Sequence, residues 1–229
     1  MNFVVIGATQ GLGFELTKLL LEKGHKVAAG TVEPAPPPHV SELGSGGNLL
    51  VFPADVTKDE QLAAGAKACE DFFGGRADAL CNVAGVLLEG DRTKLLHECD
   101  PGELRHTFEV NTIGAVLVAK YFYPVVKKGS KFFSITSEST GLLSCGTWVP
   151  CYALSKTAAT KVSGILNASI QDVDFYSVHP GRMNTEMGRT TAQIEAIDSA
   201  RGICKLMSGE TPLSRDKWYV DYNGVPMIS

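Results

Sequence analysis

Residues 2–24 read NFVVIGATQGLGFELTKLLLEKG, and this stretch decides the fold. Its first part, Asn2–Ile6, is a short apolar run that predicts a buried parallel strand. Residues 14–23 carry apolar side chains at helical spacing, and Gly24 is typical of a helix end. The turn between strand and helix contains Gly7, Gly11 and Gly13. Strand, glycine turn and helix in this order form the context in which backbone amides bind a dinucleotide pyrophosphate.

Strand-like and helix-like segments alternate along the rest of the chain. Strands are predicted at 26–31, 49–53, 78–81, 132–136, 175–178 and 218–220, and helices at 59–73 (capped by Asp59), 104–127, 152–168 and 194–207. The Pro- and Gly-rich segment 32–48 has room for little more than one helical turn, at 39–43. This alternation predicts an α/β protein: one domain over residues 1–229, with a doubly wound parallel sheet and helices on both faces.

Tyr152 and Lys156 stand four residues apart at the start of a predicted helix, and therefore lie on one face, one turn apart. A phenol titrates near ~10 and an ammonium near ~10.4 when unperturbed. An adjacent ammonium favours the phenolate, so we expect Lys156 to lower the pKa of Tyr152. Tyr152 is then a candidate general acid/base for a carbonyl or alcohol oxygen. Taken alone, the pair is more typical of two solvated neighbours, and its interpretation depends on the rest of the chain.

Composition excludes several classes of function. The chain has 21 Lys and Arg against 25 Asp and Glu, a net charge of -4, and no basic cluster, which argues against nucleic-acid binding. The apolar run at 113–126 contains Lys120 and is too short to cross a membrane. A strand that begins at Asn2 leaves no room for a signal peptide, so a cytoplasmic protein is expected. The six cysteines (69, 81, 99, 145, 151 and 204) are scattered, which predicts free thiols and no metal site.

Seven features, in this order, resemble the short-chain dehydrogenase/reductase family over nearly the whole chain. They are the glycine turn, Asp55, the Asn-Val-Ala-Gly run at 82–85, Asn111, Ser137, the Tyr152/Lys156 pair and Pro180-Gly181. The run HPGRMNTEMG at 179–188 is most similar to the small C-factor/sniffer-type carbonyl-reductase branch. The resemblance implies a Rossmann fold and an NAD(P)-dependent oxidoreductase.

The same resemblance implies four catalytic residues. Tyr152 would exchange a proton with a carbonyl or alcohol oxygen while hydride passes to or from nicotinamide. Lys156 would bind the ribose hydroxyls and lower the pKa of Tyr152. Ser137, with Ser139 as a rival, would donate a hydrogen bond to the substrate oxygen as its charge develops. Asn111 would bind a water that relays protons to Lys156.

A nicotinamide dinucleotide site is implied as well. Its predicted residues are Gly7, Thr9, Gln10, Gly11, Leu12, Gly13, Thr31, Asp55, Val56, Asn82, Ala84, Gly85, Tyr152, Lys156, Pro180, Gly181, Met183 and Thr185. Thr31 replaces the acid that NAD enzymes of this kind carry, so a 2′-phosphate would not be repelled there. NADP is therefore favoured, with NAD as the alternative, although Val32 and Gln10 supply no positive charge.

The substrate class that the resemblance implies is a small or medium carbonyl or alcohol. Candidates for an apolar pocket wall are Leu87, Leu88, Cys145, Trp148, Val149, Met183 and Met187. Arg182 either contacts a polar substrate or is solvated. The helices predicted at 104–127 and 152–168 are the surfaces that family members commonly pair, so a homodimer or homotetramer is expected.

Two other interpretations of the sequence compete with the enzyme. A non-catalytic regulator could keep the fold to sense the redox ratio of the dinucleotide, but such a sensor does not need the proton-transfer pair Tyr152 and Lys156. A sugar-nucleotide epimerase of the related extended family needs a C-terminal substrate domain, and the residues after Thr185 are too few for one.

Overall fold

The structure, a computed structural model, describes residues 1–44, 46–140, 147–188 and 192–228. The strands are β1 (Asn2–Ile6), β2 (Lys26–Thr31), β3 (Leu49–Pro53), β4 (Ala77–Asn82), β5 (Val126–Ile135), β6 (Val173–His179), β7 (Met183–Asn184), β8 (Ile194–Glu195) and β9 (Tyr219–Asp221). The helices are α1 (Gly11–Glu22), α2 (Pro38–Ser41), α3 (Asp59–Phe73), α4 (Pro101–Phe108), α5 (Gly114–Phe122), α6 (Pro150–Ser169) and α7 (Ala196–Ser208). Within the described ranges, no helix combines the length and the apolar character that a membrane crossing needs.

Seven parallel strands form the main sheet in the order β3-β2-β1-β4-β5-β6-β9, which confirms the predicted doubly wound α/β fold. Strand β1 shows why both faces of this sheet are covered. Phe3 and Val5 pack into the core beneath α1 and α7, whereas Val4 and Ile6 pack into the core beneath α3 and α5. All four side chains are fully buried. An apolar run without alternation is stable only in a strand that is buried on both faces.

The order of the strands reverses between β1 and β4, and this reversal positions the site. Ile6 pairs with Gly30 of β2 on one side and with Asn82 of β4 on the other. The chain then leaves β1 and β4 towards opposite faces of the sheet, which opens a crevice at their carboxyl ends. The glycine turn after Ile6 lies at the edge of this crevice.

The helix predicted at 104–127 is wrong in its extent. Helix α4 passes into a π-helical turn at Glu109–Ile113, α5 ends at Phe122, and β5 already begins at Val126. Pro124 explains the end, because its ring and missing amide cannot continue a helix. The wide turn lies at Asn111, whose side chain is bound to a distant loop, as described below.

Two other helix starts differ from the sequence-based prediction. Asp59 is the first residue of α3 instead of its cap, and its carboxylate accepts a hydrogen bond from the Tyr121 hydroxyl at 2.7 Å. Helix α7 starts at Ala196, because Ile194–Glu195 pairs with Met183–Asn184 as a small second sheet. That pairing brings the segment after β6 back over the crevice.

The cysteines in the described ranges are free thiols, as predicted: Cys69, Cys81, Cys99, Cys151 and Cys204. Burial raises the pKa of the Cys69 and Cys81 thiols far above the ordinary value, so both are inert side chains of the core. Cys145 lies outside the described residues.

A buried hydroxyl in β6 allows a test of the core. Tyr176 is fully buried, and its hydroxyl has no hydrogen-bond partner among the described residues. Because an unpaired buried hydroxyl is destabilising, we expect Tyr176→Phe to raise the free energy of unfolding by about 1 kcal/mol in urea denaturation.

The matched control is Tyr219→Phe. The hydroxyl of Tyr219 donates to the Ser137 carbonyl oxygen and accepts from Thr140 Oγ1, both at 2.9 Å. This substitution removes two buried hydrogen bonds and should lower the free energy of unfolding. Equal losses of stability in the two variants would contradict the unpaired state of the Tyr176 hydroxyl.

Candidate active site

A cavity of about 1070 Å³ lies at the carboxyl ends of the strands, where the crevice was expected. Its walls come from the segments that follow β1, β2, β3, β4, β5 and β6 and from the start of α6. This volume is at the upper end for small-molecule and cofactor sites. An extended ligand can therefore reach from the glycine turn to the start of α6.

The glycine turn forms one end of the cavity and is tied to the sheet. The amides of Gly7 and Ala8 both donate to the Gly30 carbonyl oxygen, at 2.9 and 3.0 Å. A Cβ at Gly13 would lie 2.0 Å from the Gly7 carbonyl oxygen, so only glycine lets α1 pack this closely. Gln10, at the N-cap of α1, makes no side-chain cap. The uncapped amides of this helix start, beside a turn without side chains, fit an anionic pyrophosphate.

Lys156 lines the other end of the cavity, where its side chain is buried. Its side chain is 3% exposed, and Nζ donates to the Ile135 carbonyl oxygen at 2.8 Å. Burial lowers the pKa of this ammonium to about 8. A Cβ at Gly85 would lie 2.9 Å from Nζ, so the absence of a side chain there makes room for the ammonium.

Tyr152 lines the cavity one turn before Lys156, and Lys156 Nζ is 5.7 Å from the centre of its ring. Burial raises the pKa of Tyr152 to about 12, and the charge of Arg92 acts in the opposite direction. This direction is opposite to the lowering expected from Lys156, because burial of the phenol outweighs the effect of the neighbouring Arg92 charge. The phenol is protonated near neutral pH, which is the state of a proton donor.

Ser137 and its rival Ser139 both line the cavity, and their hydroxyl oxygens are 2.9 Å apart. The Ser139 amide donates to Ser137 Oγ at 3.2 Å. Ser137 is partly exposed, whereas Ser139 is 7% exposed. Ser137 is thus the hydroxyl that a substrate in the cavity can reach more easily, with Ser139 behind it as a hydrogen-bond partner.

Both the oxygen and the nitrogen of the Asn111 carboxamide make hydrogen bonds. Its Oδ1 accepts from the Val86 amide at 2.8 Å, while Nδ2 donates to the Val86 carbonyl oxygen and to Ser155 Oγ, both at 2.9 Å. Ser155 Oγ in turn donates to the Tyr152 carbonyl oxygen at 2.8 Å. Asn111 therefore joins the loop after β4 to the first turn of α6. The water predicted to relay protons through it stays a prediction.

Most predicted cofactor residues line the cavity together. They are Gly7, Thr9, Gln10, Gly11, Leu12, Asp55, Val56, Ala84, Gly85, Tyr152, Lys156, Pro180, Gly181, Met183 and Thr185. Gly13 and Asn82 lie behind its wall instead, and Asn82 Oδ1 supports the wall by accepting from the Ala84 amide at 3.2 Å. Thr31, which was predicted to line the dinucleotide site, is fully buried, and its hydroxyl has no hydrogen-bond partner among the described residues. It does not face the position assigned to the ribose.

The two residues after Thr31 reach the cavity where Thr31 does not. Val32 and Glu33 line the cavity, and the Glu33 carboxylate accepts a hydrogen bond from Thr9 Oγ1 at 2.8 Å. An acid two residues beyond β2 was visible in the sequence. Which residue of this segment faces the ligand is decided by the end of the strand, which sequence patterns locate poorly.

Arg182 is exposed and lines the cavity, and whether it contacts a substrate stays a prediction. Its guanidinium donates to the Glu138 carboxylate at the mouth of the cavity. The Glu138 amide also donates to His179 Nδ1 at 3.1 Å. Leu87, Trp148, Val149, Met183 and Met187 form the apolar wall as predicted, whereas Leu88 is not part of it.

Comparisons with known proteins agree with the fold. A family model described as short chain dehydrogenase matches residues 2–196. A short-chain dehydrogenase from Neurospora crassa is 27% identical over 246 residues, which cover 97% of this chain and 96% of the relative. The structure of the carbonyl reductase Sniffer of D. melanogaster has a TM-score of 0.88 and 19% identity, covering 100% of this chain and 99% of that one. A Burkholderia multivorans short-chain dehydrogenase/reductase with bound NADP has a TM-score of 0.86 and 19% identity, with the same coverage.

Gly11 provides a test of the pyrophosphate position. It has a φ of +52° at the start of α1, and a Cβ there would lie 3.5 Å from Thr185 Cγ2, across the cavity. In Gly11→Val the branched side chain would enter this gap, so we expect dinucleotide affinity to fall at least about tenfold, a loss of about 1.4 kcal/mol of binding free energy. The measurement is the rise in melting temperature on adding NADPH or NADH.

Gly24→Val is the matched control, because Gly24 also has a positive φ, +79°, but lies at the far end of α1 with no atom within 4 Å of a Cβ. Both variants carry backbone strain of roughly 1–2 kcal/mol. Only Gly11→Val should lose the dinucleotide-dependent shift; equal shifts in both variants would show that the pyrophosphate binds elsewhere.

Proposed function

The chain belongs to the short chain dehydrogenase family, and from that premise we propose that it transfers a hydride between a nicotinamide dinucleotide and a small or medium carbonyl or alcohol. It is an oxidoreductase. Reduction of the carbonyl is the direction in which its general acid, Tyr152, starts in the correct protonation state. The observation that carries the proposal is that Tyr152, Ser137 and Lys156 meet at one end of a cavity whose other end is the glycine turn.

Proton transfer follows from the environments of these side chains. The Ser137 and Tyr152 hydroxyls donate hydrogen bonds to the substrate oxygen, and the Tyr152 proton moves to that oxygen as negative charge develops on it. The phenolate that remains lies one turn from the Lys156 ammonium, which stabilises it in a site with little water. When bound, the nicotinamide supplies or accepts the hydride. In the oxidation direction Tyr152 must first lose its proton, which its raised pKa opposes.

The residues along the cavity fit the parts of a dinucleotide in order. The glycine turn and the first amides of α1 would hold the pyrophosphate, while Asp55 and Val56 would contact the adenine. Lys156 would bind the ribose next to the nicotinamide, and Thr185, across from Gly11, would meet its carboxamide. No metal ion is needed for these contacts.

NADP is the first candidate for the cofactor and NAD is the alternative. Support for NADP comes from the Burkholderia structure, which holds it in the same fold. The Glu33 carboxylate supports NAD, because it lies on the cavity wall beside Thr9 and would repel a 2′-phosphate. Val32 adds no positive charge to offset this repulsion.

The proposed substrate is uncharged and largely apolar. The substrate end of the cavity is lined by Leu87, Trp148, Val149 and Met187, and the Arg182 guanidinium at its mouth is paired with the Glu138 carboxylate. A carboxylate substrate would meet Glu138 together with Arg182. The fold shared with a carbonyl reductase supports aldehydes and ketones of this kind as the first compounds to test.

Tyr152→Phe tests the chemistry. It keeps the ring and removes the proton donor, so folding and cofactor binding should survive while kcat falls by about 10²–10⁴-fold. The measurement is the steady-state rate of carbonyl reduction with one accepted substrate. Tyr121→Phe, on the exposed face of α5, is the control and should retain the parent kcat.

If Tyr152→Phe keeps kcat within a factor of three, the proton comes from another group. A parent that binds dinucleotide but turns over no carbonyl would favour the regulator instead.

Glu33→Gln tests the choice of cofactor. Removing the carboxylate should raise kcat/KM with NADPH relative to NADH by about tenfold, since two charges about 4–6 Å apart near a protein surface interact by roughly 1–4 kcal/mol. The control is Glu22→Gln, an exposed acid at the end of α1. An unchanged NADPH/NADH ratio would show that Glu33 does not face the 2′-position.

Association between copies of the chain is proposed on exposed apolar side chains. Ile113, Val116 and Leu154 are exposed beside the contact in which Thr112 Oγ1 donates to the Ser155 carbonyl oxygen. We expect this face of α5 and α6 to pair isologously in a homodimer or homotetramer. Val116→Glu should then lower the mass measured by light scattering to that of the monomer. A parent that is monomeric at every accessible concentration would contradict the association.

A further inference from the structure

Helix α6, which carries Tyr152 and Lys156, begins without a cap of its own. Its N-cap residue is Val149, which has no polar side chain, and Pro150 at the first position has no amide hydrogen. The Ala153 amide donates to the Val149 carbonyl oxygen at 2.9 Å. Two amides of the first turn, those of Cys151 and Tyr152, are therefore without a partner inside the helix.

A carboxylate from a distant part of the chain takes both of these amides. Asp91 Oδ1 accepts from the Cys151 amide and Oδ2 from the Tyr152 amide, each at 2.8 Å. The residues are 60 and 61 positions apart in sequence. The side chain of Asp91 is only 2% exposed, so these hydrogen bonds are shielded from water.

The surroundings of Asp91 show what stabilises a buried negative charge there. Two charge-assisted hydrogen bonds and the positive end of the α6 dipole both favour it. The Sγ atoms of Cys99 and Cys151 lie within 4.8 Å of a carboxylate oxygen of Asp91, and Cys99 Sγ is 3.9 Å from Oδ1. Next along the chain, Arg92 donates to the Met187 carbonyl oxygen at 2.7 Å, on the cavity wall. The segment of residues 89–92 thus connects the catalytic helix with the substrate end of the cavity.

We propose that Asp91 is a positioning residue for the proton transfer by Tyr152; this inference rests on the proposed function. By binding the Cys151 and Tyr152 amides, which flank the Cys151 Cα, the carboxylate sets the direction in which the Tyr152 ring leaves the helix. Val149 and Pro150, the residues that precede these amides, have no polar side chain that could accept hydrogen bonds from them. A displacement of about 1 Å at a reacting group can lower a rate by roughly 10²-fold.

Asp91→Asn is the direct test. The amide keeps the shape of the side chain but has one acceptor oxygen, so an NH₂ group faces one of the two backbone amides. We expect kcat for carbonyl reduction to fall about 10–100-fold while KM for cofactor and for substrate changes less than about threefold. Asp91→Glu keeps two acceptor oxygens on a longer arm and should have a kcat between those of the parent and Asp91→Asn.

The chain contains a matched control in Asp100. Helix α4 also begins with a proline, Pro101, and Asp100 Oδ1 accepts from the Gly102 and Glu103 amides at 2.8 and 3.0 Å. Asp100→Asn makes the same chemical change at a helix start that does not line the cavity. Asp100→Asn should keep the parent kcat and melting temperature, because Oδ1 alone accepts both hydrogen bonds and Asn caps a helix about as well as Asp. Asp91→Asn should lose kcat and a few degrees of melting temperature.

The outcomes separate this inference from the function on which it rests. Equal kcat values for Asp91→Asn and Asp100→Asn, or no recovery in Asp91→Glu relative to Asp91→Asn, would overturn the role of Asp91. If Asp91→Asn does not fold, the kcat of Asp91→Glu decides: a value equal to the parent's, together with an unchanged KM, would overturn the role, and a reduced kcat would support it. Loss of activity in Tyr152→Phe with a parent-like Asp91→Asn would overturn only this inference. Parent-like activity in Tyr152→Phe would overturn the proposed function itself.

Discussion

The burial of one cation, the Lys156 ammonium, is the constraint on which the rest of the site depends. Lowering its pKa from 10.5 to about 8 corresponds to a destabilisation on the order of 3 kcal/mol at neutral pH. Because the folded-state pKa is the lower one, this penalty is complete below pH 8 and disappears as the pH rises towards 10.5. The neighbours of the ammonium are arranged accordingly: the Ile135 carbonyl oxygen accepts a hydrogen bond from it, and Gly85 leaves it room. An uncharged side chain at this position would avoid that penalty, and a buried cation that lines a cavity is therefore a candidate for a functional role.

Local sequence patterns were sufficient to predict an element of the fold wherever the contacts that determine it are close in sequence. The β1 strand, the glycine turn and α1 follow from one continuous stretch, and the Tyr152/Lys156 pair follows from helical spacing. The break in the helix predicted at 104–127 could not be foreseen in the same way, because the Asn111 carboxamide is bound to Val86 in a remote loop. Asp91 gave no signal for the same reason. Proximity of Lys156 to Tyr152 was also predictable, but the direction of the Tyr152 pKa was not, since burial is a property of the folded chain.

The charges around the cavity are distributed unevenly. Glu33 places a negative charge, hydrogen-bonded to Thr9, at the end near β2, whereas Glu138 at the opposite end is paired with Arg182. Burial lowers the pKa of His179, so this ring adds little charge to the pair near neutral pH. The end assigned to the cofactor thus has a charge that discriminates between ligands, and the end assigned to the substrate discriminates mainly by shape and apolar contact. Selectivity for the two ligands can therefore change independently along this cavity.

The remote cap of α6 also has a consequence for the order in which the chain assembles. The first turn of this helix is completed only when the connection between β4 and α4, which carries Asp91, has docked against it. That contact spans 60 residues, so closing it has an entropic cost that a local cap would avoid. The first turn of α6 is therefore expected to open and close together with the β4–α4 connection. Undocking of that connection would leave the Cys151 and Tyr152 amides without their acceptor, so the order of the turn that carries Tyr152 depends on a contact made 60 residues away.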